Sequence, residues 1–262
     1  MKSPSRHSSK LRFIVWLLPG LTFTLFSAAG DGAGPPGRTN DDAGGIDLQT
    51  VEQRIVERTN RFRIERGLEA VKVDQTLSET ARSFAAFMAR TDKYGHRADG
   101  RTPAERAEAA GYQMCTVREN IGYQLDSGGT DADELVETFV TGWIDSPPHR
   151  ENLLAKHVTE TAVAVAADEA GTKHFAVQLF GRPRAASFKI RVVNRDDVAR
   201  NLSVRTEAGD DEIELPPGGT VKMRRCFPTQ LSIDGESSQT AERSSQWIIR
   251  DGNLTPDDSG SD

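Results

Sequence analysis

The chain is short of several residue types. It has two cysteines, five histidines, three tryptophans and three tyrosines in 262 residues. Two cysteines cannot staple a disulfide-dense scaffold, so the fold must rest on an apolar core, which 36% hydrophobic and 27% charged residues can supply. Beyond residue 26 no apolar run is long enough to span a bilayer. No basic arm or stripe follows the N-terminus: lysines and arginines are interspersed with acids under a formal charge of −6, and no nucleic-acid partner is expected. Nucleophile contexts for serine, threonine or cysteine triads and the His-Glu-x-x-His zinc pattern are missing too, which ranks hydrolysis below binding.

What is present begins with an address. Lys2, Arg6, Lys10 and Arg12 precede the apolar run 13–26, and the small residues Ser27, Ala28 and Ala29 follow it as a cleavage site. Residues 1–29 therefore read as a signal peptide or, uncleaved, as an N-terminal anchor that would be the chain's only membrane contact. The protein is expected outside the cytoplasmic membrane, secreted or associated with the cell envelope. Residues 30–46, rich in glycine with almost nothing to bury, read as a flexible linker.

Asp47 caps a helix whose stripe is Leu48, Val51, Ile55 and Phe62, and a second helix after Asp74 buries Leu77, Ala81, Phe84, Ala85 and Met88. Thr102, Pro103 and Glu105 form a helix start in which threonine caps and glutamate reaches back. A fourth helix carries Leu135, Val136, Phe139, Val140 and Trp143 at spacings of three and four until Pro147 and Pro148 stop it, so that His149 begins a new element. Residues 117–123, 159–165 and 173–180 read as strands. Helices set apart from a short antiparallel sheet indicate an α+β domain over 47–183. Six short alternating runs between 188 and 249 then predict a small β-sandwich domain over 186–250 with no chemistry of its own, followed by an acidic disordered tail, 251–262.

Candidate chemistry is sparse. His96 sits in a turn-rich loop, 93–100, and loops on rigid scaffolds often carry function. His149 and Glu151 follow the two prolines, although residues two apart do not share a helix face. Glu119 stands at the entrance to a strand. Cys115 and Cys226, in an exported chain, are either a disulfide closing a long loop or two separate thiols.

The order of features from Leu48 to Gly181 resembles the CAP superfamily, which groups cysteine-rich secretory proteins, antigen 5 and the first class of plant pathogenesis-related proteins. Asn60 and Arg61, Leu77 and Ala81, Gly95 and His96, Gly111 and Tyr112, Glu119 to Ile121, Trp143, Ser146 to Arg150 with Asn152 and Leu154, and Val177 to Gly181 carry the resemblance. Its prokaryotic branch is the closer match, because the many disulfides of eukaryotic members are absent. The resemblance implies an α-β-α sandwich with a cleft of two histidines and two acids, in which His96 meets Glu119. For the second histidine it leaves two choices: His149 by the prokaryotic pattern and His157 by the eukaryotic one. For the second acid it leaves Glu151 and Glu160. Such a set of imidazoles and a carboxylate, His96, His149 or His157, and Glu119, suits zinc or another divalent metal. The implied function is a binding cleft for a small, lipid-like apolar ligand or an envelope component. The alternative is a metal- or His/Glu-dependent extracellular peptidase or esterase.

Overall fold

A computed structural model describes residues 46–125, 130–206, 209–236 and 238–257. The expected signal and all of the linker except Ile46 lie outside the described residues. Helix α1 (Leu48–Ile64) starts at Asp47, whose side chain accepts the N–H groups of Gln49 and Thr50, and α2 (Gln75–Thr91) is capped in the same way by Asp74. The short strand β1 (Lys72–Val73) lies between them. At α3 (Pro103–Ala109) the full reciprocal cap forms between Thr102 and Glu105. Strand β2 (Met114–Leu125), helices α4 (Ala132–Asp145) and α5 (Pro147–Leu153), and strands β3 (Glu160–Ala167) and β4 (Lys173–Pro183) complete the first domain.

The sheet runs β1-β3-β4-β2; its three long strands are antiparallel, and β1 adds a parallel edge to β3 that the strand pattern alone did not foretell. Period-two alternation sorts its side chains into two cores. Ala162, Ala164, Phe175, Val177 and Leu179 face α2 and α3, while Val163, Val165, Ala176 and Phe180 face α1, α4 and α5. The result is an α-β-α sandwich. One close approach needs a glycine: a Cβ on Gly181 would collide with the ring and hydroxyl of Tyr112 and with Leu77.

Two sequence expectations need correction here. The prolines do not only stop α4; Pro147 opens α5, where its missing N–H would have had no intrahelical partner, so His149 is the third residue of a helix rather than the first of a new element. Glu119 is not at a strand entrance either. Strand β2 begins five residues earlier at Met114, and Glu119 is buried in its middle.

One 3₁₀ turn (Arg184–Ala186) leads into the second domain, whose strands are β5 (Phe188–Asn194), β6 (Arg200–Thr206), β7 (Gly209–Leu215), β8 (Thr220–Arg225), β9 (Thr229–Ile233), β10 (Gln239–Ala241), β11 (Ser245–Arg250) and β12 (Asn253–Pro256). They form two four-stranded sheets, β10-β9-β6-β7 and β12-β11-β5-β8, packed over Ile190, Val192, Leu202, Val204, Leu231, Ile233 and Ile249. The expected disordered tail is corrected in part: residues 253–256 pair with β11, where Leu254 packs against the core, and residues 258–262 lie outside the described residues. Cys115 of β2 and Cys226, just past β8, form a disulfide that staples the two domains together. In the chain-entropy account, tying residues 111 apart removes about 4–5 kcal/mol of freedom from the unfolded ensemble.

Candidate functional site

Strand β2 is an edge strand, and its outward carbonyls are covered by side chains rather than by another strand. Asn152 of α5 donates to Glu119 O (3.0 Å), and Tyr94 (3.2 Å) and Trp143 (3.1 Å) both donate to Ile121 O. This blunts the edge against pairing with another chain and brings the 93–100 loop and α5 to the same stretch of β2.

Arg106 of α3 holds that loop. Its Nη1 reaches His96 O (3.0 Å), Asp99 Oδ1 (2.9 Å) and Arg101 O (2.8 Å), and its Nη2 donates to Glu119 Oε2 (2.6 Å). The guanidinium lies 3.5 Å from the ring centroid of Phe84, which supports the cation from below. Glu119's side chain is 1% exposed and Arg106's 5%, so each charge is desolvated and stable only while the other remains.

The other carboxylate oxygen of Glu119 lies 2.8 Å from Nδ1 of His96. An ionised carboxylate only accepts, so Nδ1 carries the hydrogen, and Nε2 faces away from Glu119. The His96 side chain is 51% exposed, which leaves it open to a solute. Burial, first, and then His96 hold the His149 imidazole below the usual histidine range. The backbone of His149 is fixed by Asn120, whose Nδ2 donates to His149 O (3.1 Å), while its buried Nδ1 has no hydrogen-bond partner among the described residues. Beside them Tyr94 and Tyr123 meet edge to face at 5.0 Å, and burial pushes the Tyr94 phenol upward, with Tyr123 and Glu119 adding to it.

The structure thus brings together His96, Glu119 and His149. It does not bring in the other candidates. The His157 ring packs on Phe227 of the second domain, at 5.6 Å between centroids. Glu160 accepts the Tyr112 hydroxyl at 2.5 Å, a structural tie between β3 and the segment before β2, and Glu151 is exposed on α5.

The metal set implied by the resemblance does not fit this arrangement. Both Glu119 oxygens are engaged, by His96 and Arg106, and His157 lies elsewhere. Among the described residues no three His, Cys, Asp or Glu side chains are grouped to hold an ion. Glu119 is placed instead as the carboxylate that orients an imidazole. Sequence reasoning missed Arg106, which sits in no motif. It missed Tyr94 and Tyr123 as well, since only the fold pairs residues from a loop and a strand.

Residues 56–180 match the model of the cysteine-rich secretory protein family, CAP. The uncharacterized protein YkwD of Bacillus subtilis is 29% identical over 117 residues, 44% of this chain and 42% of that protein, so the chain spans less than half the length of this curated relative. Among solved structures, an outer surface protein of Borrelia burgdorferi superposes with a TM-score of 0.47 at 20% identity, over 53% of this chain and 96% of that one. An extracellular protein containing an SCP domain from Bacillus anthracis gives 0.44 at 23%, over 56% and 45%.

Proposed function

Since residues 56–180 form a prokaryotic domain of the CAP family, we propose that the chain is an extracytoplasmic binding module whose cleft over the β2 edge takes a small amphiphile. The observation that carries this reading is an exposed aromatic ledge beside an oriented imidazole: Tyr94 is 46% and Tyr123 48% exposed, next to His96 with its free Nε2. The rings offer apolar surface to the body of the ligand, and the Nε2 of His96 accepts a hydrogen bond from a hydroxyl head. Glu119 and Arg106 keep the imidazole in one tautomer and one direction, so the head group meets a site already in place. Export past the membrane is supported by the cationic and apolar start of the chain.

The test is titration of the full chain with a fluorescent long-chain alcohol. Binding that weakens about tenfold or more in both Tyr123→Ala and His96→Ala, each variant melting as the wild type does, is the expected result. Absence of binding, or binding indifferent to both changes, overturns it.

The same dyad favours a second reading. A carboxylate-backed imidazole with a free Nε2 is also the arrangement of a general base, here for the attack of water on an ester or peptide. Turnover of a p-nitrophenyl ester that disappears in His96→Ala and falls strongly in Glu119→Gln supports it. Equal turnover in the wild type and His96→Ala disposes of it.

A further inference from the structure

The second domain has a surface that the linear sequence hides. Strands β5 and β8 are antiparallel neighbours in a register that sets Lys189 opposite Arg224 and Arg191 opposite Lys222. All four side chains are exposed, on the face away from Ile190 and Val192, and none of them is in an ion pair with a described residue. Among the described residues their side chains bond to neutral partners, Arg191 to Gln246 (3.4 Å) and Arg224 to Ser187 (3.0 Å). Like charges placed directly opposite each other cost stability. The other sheet avoids this, for its β6–β7 register sets Arg205 against Asp210, which it binds, and Ser203 against Glu212. A chain of net charge −6 thus keeps on one sheet a basic quartet that its strand register sets against no carboxylate.

The quartet borders a depression of about 1260 Å³ that is also lined by the 239–246 run, with Arg243 on it; among the described residues Glu242 and Asp257 are its only carboxylates. Five cations against two carboxylates give this depression an excess of positive charge. Along a strand, residues two apart repeat at about 6.5–7 Å, so the two cross-strand pairs present cations in steps of that size. We propose that this depression binds a linear phosphodiester polymer with one phosphate per short repeat, lying along β5 and β8 outside the cytoplasmic membrane. A depression suits a chain better than a planar bilayer, and the step between cation pairs suits phosphates a few bonds apart.

The experiment is titration of the full chain with poly(glycerol phosphate) at several salt concentrations, alongside single-stranded DNA and vesicles containing phosphatidylglycerol. Four phosphate contacts give a slope of log affinity against log salt of about −3, a roughly fifty-fold loss between about 50 and 200 mM salt. The variant K189Q/R191Q/K222Q/R224Q should lose both the binding and the slope while melting no lower than the wild type, because the opposed like charges are gone. K189R/K222R, which keeps every charge, should bind as the wild type does, and it is the arm that decides if the glutamine variant misfolds. No binding to poly(glycerol phosphate), binding equal in the glutamine variant, or loss of binding in K189R/K222R overturns the proposal. So does tighter binding to DNA or to vesicles, and so does a quartet-dependent self-association that accounts for the charge.

Discussion

In the first domain Arg63, Arg106 and Glu119 are at most 5% exposed, whereas the buried polar residues described in the second domain are Asn194 and Thr229, neither of them ionisable. The difference follows from what each domain must hold in place. The sandwich closes most of its backbone with strand ladders, and its polar anchors serve the turns: Asn194 Nδ2 donates to the carbonyls of Val198, Leu215 and Pro216, and the Asp196 carboxylate, paired with Arg200, accepts the N–H groups of Asp251 and Gly252. The α-β-α domain carries irregular segments that no ladder reaches. Arg63 donates to the carbonyls of Glu69, Leu153 and Ala155, and Arg106 gathers the loop around His96. A guanidinium has five N–H donors in a rigid fork, so it can serve several stray carbonyls at once. The candidate site lies where such an anchor is used, because an imidazole on a loop needs outside support to keep one orientation.

Arg106→Met tests that contrast most strongly. It leaves Glu119 buried without its cation and frees the loop, and the expected loss is about 4 kcal/mol, measured by urea denaturation. Arg191→Met on the exposed basic sheet should stay within about 0.5 kcal/mol. Similar losses in the two variants would erase the distinction between the domains.

A smaller effect is expected for Cys115→Ser with Cys226→Ser, about 3 kcal/mol, because residual structure in the reduced unfolded chain offsets part of the chain-entropy gain. Here the comparison is sharpened. The two domains should then unfold in two resolved calorimetric transitions, the sandwich being closed by its own ladders. A single shared transition would mean that packing such as His157 on Phe227 couples them without the staple.

The smallest effect concerns acid. His149 is held below its ordinary range in the folded state, so the folded chain takes up its proton less readily than the unfolded chain does. Its contribution to stability is complete above about pH 6.5 and is lost as the pH falls through the folded value. Melting temperatures followed from pH 8 to pH 5 should therefore fall less in His149→Asn than in the wild type, and an identical fall in both would remove His149 from the account.

Much of the fold was legible in the sequence for local reasons. Asp47, Asp74 and the Thr102–Glu105 pair cap the helices they were expected to cap, since a cap acts within four residues. The alternation of β3 and β4 likewise told which residues share a face, but not that helices bury both faces, as they do from Thr161 to Val165 and from His174 to Gly181. Strand β12 was not legible, because Leu254 is one apolar residue among acids and pairs only once β11 is in place. The site was legible in part. His96 and Glu119 were singled out, but the choice between His149 and His157 rests on which element crosses β2, and no local signal carries that.

By itself the sequence determined four of the helices, the long strands and the sandwich that follows them, because periodicity and capping are properties of neighbours along the chain. Tertiary structure alone decided that Glu119 faces both Arg106 and His96, that Cys115 reaches Cys226, and that four scattered cations form one surface. Each of these joins residues from separate elements, and their meeting depends on strand order and register, which are set by packing of the whole core.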